Sequence, residues 1–330
     1  IVILILILVY RNYLKETFQV IDLDRNIYED EDIDLIMDER IQFLTPKEGE
    51  DVLKKSASYF NNFNEYDLIA RKINTRDIIF KHYNENILEF SNEEKIKLIY
   101  IIKLIKNKLE DKYKFIFKDI NFCKFDNKIE NSYPHTHSHT IFLSEDFVDN
   151  IMKLKKDDEL YMIKIYGGTI IHECIHIWQR KEPKKFLDLY KNFWNFTTYK
   201  VPNTDDIIEF TRSNPDGTYP YWIFSLKNTH ILLSSQYVKF DVDMGNVKNV
   251  GIFLDKNDDG TFKLEEPKRE FELRLIDDFI NFFEINNNNY HPNELSAELI
   301  SQYYLHLINI KNIEMTPSNK LMIDWFEKNI

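Results

Sequence analysis

The sequence predicts an α+β protein in which a mixed sheet packs beside a helix carrying two histidines. Three observations carry that prediction. Apolar residues recur at helical spacing in pieces through residues 40–112. From Tyr113 the period shifts to the alternation of strands, in Lys114–Lys118 and again in Ile120–Phe125. Thr169–Arg180 then returns to helical period: Ile170, Ile171, Cys174, Ile177 and Trp178 draw one buried stripe, with His172-Glu173-x-x-His176 inside it. Imidazoles four residues apart project from one helix face, where two neutral rings can bind a single zinc ion. Glu173, turned about 100° away along the helix, can hold and deprotonate a metal-bound water. The plainer alternative is an amphipathic helix whose histidines are merely packed.

Bulk properties narrow the class. A chain of 330 residues has room for one large domain or two, and 43% hydrophobic with 15% aromatic residues excludes overall disorder. Lys plus Arg number 43 against 55 for Asp plus Glu, a net charge of −12. That balance argues against nucleic acid and anionic membranes and would favour a basic substrate or partner. Two cysteines, Cys123 and Cys174, make no disulfide framework and fit a reducing compartment. Scarce Gly with abundant Ile, Asn, Lys, Phe and Tyr is the bias of very AT-rich genomes, as in some protists and large DNA viruses.

Taken in order, Ile1–Val9 is an unbroken apolar run, too short for the ~20 residues of a spanning helix. Residues 1–12 read as the tail of a membrane anchor that continues upstream, or else as a buried strand or helix. The expected location is therefore a reducing compartment or a membrane-tethered one, a virion included. Glu29-Asp30-Glu31-Asp32 reads as a solvated linker. Thr45-Pro46-Lys47-Glu48 is a capping box that opens a helix, and Ser91-Asn92-Glu93-Glu94 precedes another helical stretch. Residues 40–112 are expected to form a helical subdomain without catalytic residues. Residues 113–330 are expected to form the functional domain, with an insertion at about 185–290.

Tyr133–Leu143 reads as one strand whose His135, His137 and His139 share a face. His137 and His139 are expected to border a substrate cleft; a second metal site or a polar strand edge are the alternatives. Gly167-Gly168 would let the following helix start close to the sheet, and Glu182-Pro183 would end that helix. Residues 185–250 are rich in aromatics that suit core or cleft wall. Arg212-Ser213-Asn214-Pro215-Asp216-Gly217 is a turn by composition. Arg212 either binds a substrate carboxylate in the cleft or braces against the Asp. Tyr219, Tyr221 and His230 are candidates to polarise a substrate carbonyl. Asp255 to Glu266 matches the spacing of a calcium loop, but the strand-like Val250–Leu254 before it and Pro267 after it also suit a β-hairpin with an Asn-Asp-Asp-Gly turn.

A zinc site needs a third protein ligand. The metzincin pattern requires Gly and His where this chain has Gln179 and Glu182. Downstream, His291-Pro292-Asn293-Glu294-Leu295-Ser296-Ala297-Glu298 opens a helix, with Ile300, Tyr303, Tyr304 and Leu307 continuing its apolar stripe. Glu294 and Glu298 share one face, so one can ligate zinc while the other orients a ligand histidine through its second nitrogen. Small Ala297 would allow close approach of the two helices.

His172-Glu173-x-x-His176 with Glu294-x-x-Ala297-Glu298 resembles the gluzincin clan of zinc metallopeptidases. Residues 140–144 and 169–180 also resemble the strand and helix of some bacterial metallopeptidase-like domains. The resemblance covers residues 133–180 and 291–310. It implies a zincin-like core, an edge strand beside the metal helix, Glu294 as third zinc ligand and Glu298 as the carboxylate behind a ligand histidine. The expected activity is zinc-dependent hydrolysis of a protein or peptide substrate, with Glu173 as general base and a donor such as Tyr221 or His230 at the oxyanion. The alternative is a non-catalytic zinc-bearing structural or binding protein, for example a membrane-tethered virion or surface component. The intact Glu173 argues against it.

Overall fold

The computed structural model describes residues 40–217, 219–285 and 289–330. The apolar run at 1–9 and the acidic stretch at 29–32 lie outside them, and with them the membrane-anchor expectation. Among the described residues no helix is long and apolar enough to cross a membrane.

The described strands form two sheets in a mixed α+β chain. The first is mixed and contains β1 (Gln42–Phe43), β2 (Ile87–Leu88), β3 (Asn121–Phe125), β4 (His135–His137) and β5 (Thr140–Ser144). Their order is β1-β3-β5-β4, with β2 also on β3. β1 and β5 run parallel to β3, whereas β4 is antiparallel to β5 and forms the edge. Phe122, Cys123, Phe125, Ile141, Phe142 and Leu143 are all buried, as befits strands covered on both faces.

The second sheet is antiparallel and occupies the stretch expected as an insertion. β6 (Phe196–Thr198), β7 (Trp222–Leu226), β8 (Thr229–Tyr237), β9 (Val247–Lys256) and β10 (Phe262–Leu264) pair in sequence, with β11 (Glu270–Glu272) also on β9. Strand alternation divides β8 cleanly. Ile231 and Leu233 join the main core, while Leu232 joins Ile223, Val250 and Ile252 on the other face.

Six helices matter for the site. They are α1 (Pro46–Lys55), α2 (Glu65–Ala70), α3 (Asn92–Lys106), α4 (Gly168–Lys181), α5 (Pro292–Leu307) and α6 (Pro317–Asn329). Both expected capping signals are present. Glu48 Oε2 accepts from the Thr45 backbone N–H at 2.8 Å, and Glu94 Oε2 accepts from that of Ser91 at 2.8 Å. Helix α4 ends where the Glu182-Pro183 pair demands. Residues 40–112 are largely helical, yet they do not keep a core to themselves. Ile99, Ile102 and Ile105 of α3 share one with Ile170, Ile171 and Cys174 of α4, and β1 and β2 join the sheet of β3.

Three local expectations change, and a fourth stretch takes its β-hairpin reading. Lys114–Lys118 is not a strand: Lys114–Phe117 belong to a 3-10 helix, Asp111–Phe117, that buries Tyr113, Ile116 and Phe117 at roughly three-residue spacing, and Lys118 caps it. Tyr133–Leu143 is not one strand. Ser138 takes φ 56° and reverses the chain between β4 and β5, so His139 falls in the turn. The close approach at Gly167 is to a helix rather than to the sheet, since a Cβ there would lie 2.9 Å from Ile105 Cδ1 of α3. Asp255–Glu266 forms the β9–β10 hairpin, with Gly260 at φ 84° in its turn. Asp259 spends its carboxylate on Thr261, accepting from the backbone N–H at 3.0 Å and from the hydroxyl at 2.6 Å. Among the described residues, metal-type side chains converge around α4 and α5.

Candidate metal centre

Helix α4 is sorted by burial. Ile170, Ile171, Cys174, Ile175, Ile177 and Trp178 face the core, and Trp178 packs edge-on against Phe115 and Phe186 at 5.0 and 4.8 Å between centroids. That orientation turns His172, Glu173 and His176 toward a cleft of about 830 Å³. Helix α5 begins with Pro292 at its first position and His291 as N-cap, whose Nδ1 accepts from the Asn293 N–H at 3.1 Å. Glu294 therefore sits in the first turn, where the helix dipole favours a carboxylate. Ala297 is fully buried.

Three donor atoms converge across the two helices. His172 Nε2 and His176 Nε2 are 3.0 Å apart. Glu294 Oε2 is 3.4 Å from His172 Nε2, and its Oε1 is 3.6 Å from His176 Nε2. At zinc bond lengths of ~2.0–2.2 Å, tetrahedral ligands stand roughly 3.3–3.6 Å from one another. The two Glu294 separations fall in that range and the two nitrogens stand about 0.3 Å inside it, and the two-nitrogen, one-oxygen donor set suits zinc. Outer partners complete the fit. His176 Nδ1 lies 2.9 Å from Gln179 Oε1, and Gln179 donates in turn to Asn293 O at 2.8 Å and to Ser296 Oγ at 2.9 Å. His172 Nδ1 faces Glu298 Oε2 at 3.7 Å. With both Nδ1 atoms turned to acceptors, both Nε2 atoms can point lone pairs inward.

Glu173 is 4% exposed, and its Oε2 has no hydrogen-bond partner. Burial, reinforced by the nearby Asp216 carboxylate, pushes its pKa well above the ordinary range. An orphaned, proton-seeking oxygen beside three metal-type donors is suited to accept a proton from water. For Glu294 burial also acts upward, but His176 and His172 outweigh it and hold the group ionised. Asp216 closes with Glu173 and His176 into a second converging trio. It is committed elsewhere, however, accepting from Arg180 at 2.8 Å and from the Thr136 hydroxyl, while the outer nitrogen of His176 is taken by Gln179. The first trio is the better metal site.

Six residues marked by the sequence come together here: His172, Glu173, His176, Glu294, Glu298 and Arg212 all line the cleft. Arg212 does not brace against Asp216, whose cation is Arg180. Four others stand apart. Tyr221 packs on Tyr219 at 5.7 Å and His230 on Phe262 at 5.6 Å, both off the cleft lining. His230 Nδ1 contacts Ser225 Oγ at 3.0 Å, within the β7–β8 hairpin. His137 is buried against Tyr59 and Phe60, and His139 sits in the β4–β5 turn. The histidine of that strand on the cleft wall is His135, whose Nδ1 is 2.9 Å from Tyr133 O.

The sequence reading missed Asn214 and Tyr290. Asn214 Nδ2 donates at 2.6 Å both to Glu294 Oε1 and to the Tyr290 hydroxyl. No local pattern marks either residue, because the 211–217 loop and the start of α5 meet only in the folded chain. Gln179 did leave a signal, one turn beyond His176 on the same helix face. Comparison with protein-family models, curated proteins and solved structures finds no match in any of the three.

Proposed function

We propose that this chain is a single-zinc hydrolase, a metallopeptidase with a zincin-like core. The observation that carries the reading is the convergence of His172 Nε2, His176 Nε2 and the Glu294 carboxylate beside the unpartnered Glu173 oxygen. The antiparallel edge strand β4, which borders the cleft through His135, agrees with the gluzincin resemblance. His172, His176 and Glu294 would hold the ion. Bound zinc supplies Lewis acidity and lowers the pKa of a ligated water toward ~7. Glu173 accepts the proton of the attacking water and delivers it to the leaving amine. The Tyr290 phenol is kept protonated by burial and the adjacent Glu294 charge. It takes the oxyanion-steadying role that the sequence reading gave to Tyr221 or His230. A purely structural zinc site closes its fourth position with another protein ligand, whereas here the open cleft and the free Glu173 oxygen adjoin the trio.

Elemental analysis of wild type, His176→Ala and Glu294→Ala tests the site, and Glu173→Gln tests the chemistry. About one zinc per chain is expected, weakened in both ligand variants. Glu173→Gln should keep zinc and lose peptide hydrolysis. Absence of zinc from reconstituted wild type, or full activity in Glu173→Gln, would overturn the reading.

A further inference from the structure

We propose that the cleft selects peptides bearing a carboxylate within about two residues of the scissile bond, and that Arg212 receives it. This specificity rests on the peptidase reading above; the anion-binding role of Arg212 does not.

The charges on the cleft wall carry the argument. Its carboxylates other than Glu173 are engaged: Glu130 with Arg71 at 3.0 Å, Asp216 with Arg180 at 2.8 Å, and Glu294 with the two histidines. Glu298 faces His172 and accepts from Gln302 at 2.7 Å. Its cations are Lys164, Arg212 and Lys311. Among the described residues none of these three has a carboxylate within ion-pair distance. Three uncommitted cations against one unpartnered carboxylate, Glu173, leave the balance positive, opposite in sign to the chain's −12, and the expectation of a basic substrate from net charge does not carry over to the site.

Lys164 and Lys311 are exposed, as lysines ordinarily are. Arg212 is not. It is half-buried, its backbone N–H donates to Ser235 O at 2.7 Å, and its guanidinium carbon lies 5.2 Å from the Tyr290 ring centroid. Its side chain makes one long hydrogen bond, from Nη1 to Met244 O at 3.4 Å, and a hydrogen-bonding contact with Tyr290. The groups that most affect its charge are burial, the phenols of Tyr290 and Tyr237 and the cation of Arg71; none is a carboxylate. A guanidinium held this way has most of its donors unspent, in the planar fork that matches a carboxylate. Tyr290 gives the reach. Its hydroxyl meets Asn214 beside Glu294 and its side chain meets Arg212, so no more than one phenol and one amide stand between the metal ligands and the cation. That span is roughly two residues of extended peptide at ~3.3 Å each.

The carboxylate can come from an Asp or Glu side chain or from a free C-terminus. Binding to zinc-reconstituted Glu173→Gln, read by anisotropy of labelled peptides, separates these sources without requiring turnover. Three peptides suffice: one with Glu and an amidated end, one with Gln and a free end, and one with Gln and an amidated end. At least one carboxylate peptide should bind about tenfold or more tightly than the neutral one, and the better of the two names the source. Adding Arg212→Met should erase that ratio, and Arg212→Lys should retain part of it. Equal binding of all three peptides, no binding of any, or a ratio that survives in Arg212→Met would overturn the proposal. The peptide comparison with Arg212 intact remains decisive if Arg212→Met does not fold. A ratio that vanishes in Arg212→Met, with no peptide hydrolysed by Glu173-intact protein, would keep the anion site and remove the peptidase reading.

Discussion

Gln179 stands one turn beyond His176 on α4 and brings its Oε1 to 2.9 Å from the His176 Nδ1. The amide is held from behind by Asn293 O and Ser296 Oγ of α5, so the helix that supplies Glu294 also sets the orientation of a histidine on its neighbour. Partners of this kind fix the ring and its tautomer.

Gln179→Ala should accordingly weaken zinc binding by about 10–100-fold while leaving the fold intact. Competition against a chromogenic chelator measures it. Wild-type affinity in the variant would mean that packing alone orients the His176 ring.

Arg71 is buried between two carboxylates, 2.8 Å from Asp67 Oδ1 and 3.0 Å from Glu130 Oε2, and it also donates to Ser213 O at 3.0 Å. Asp67 holds the same loop through the Ser213 N–H at 3.0 Å and hydroxyl at 2.7 Å. This network ties α2 to the loop that presents Asn214 and Asp216 to the cleft. Arg71→Met leaves two buried carboxylates without their cation, and unfolding in urea should show a loss of about 3–5 kcal/mol. A loss below about 1 kcal/mol would mean that water reaches the network.

Stability should fall on mild acidification. Burial lowers the His137 pKa to about 3, against ~6.5 for a free imidazole. The unfolded chain then takes up the proton first, so this contribution is complete above pH ~6.5 and drains as the pH falls toward 3. Burial alone would raise the Glu130 pKa, but Arg71 overrides it and holds the group at about 2. Its contribution is complete above ~4.5 and is lost toward pH 2. Urea midpoints should therefore decline from pH 7 to 5, with a shallower decline in His137→Phe. A flat profile in wild type over that interval would contradict the burial of a neutral His137.

Gly217 lies against the cap of α5. A Cβ there would stand 2.8 Å from His291 Nδ1, the atom that accepts from the Asn293 N–H. Gly217→Ala should displace the ring and cost about 0.5–2 kcal/mol, the usual worth of an N-cap. Because Glu294 sits in the turn that follows, zinc affinity should drop with it. Melting curves and zinc titration on the same variant check both effects, and unchanged values would show that the ring moves aside freely.

What could be read from the sequence was what depends on neighbours along the chain. Helical spacing put His172 and His176 on one face of α4, the Thr45–Glu48 and Ser91–Glu94 pairs marked two helix starts, and Pro292 with Glu294 and Glu298 marked the third. Each is an interaction within about a turn, so residue order alone determines it. Alternation misled at Lys114–Phe117 and Tyr133–Leu143, where a 3-10 turn and one left-handed residue, Ser138, satisfy burial as well as a strand would. Tertiary structure alone decided which groups complete the site. Asn214 reaches Glu294 from 80 positions away, Arg212 gains the face of Tyr290, and Tyr221 and His230 are carried off with the second sheet. Those placements depend on how sheets and helices bury their apolar faces against one another, and that balance is struck over the whole core.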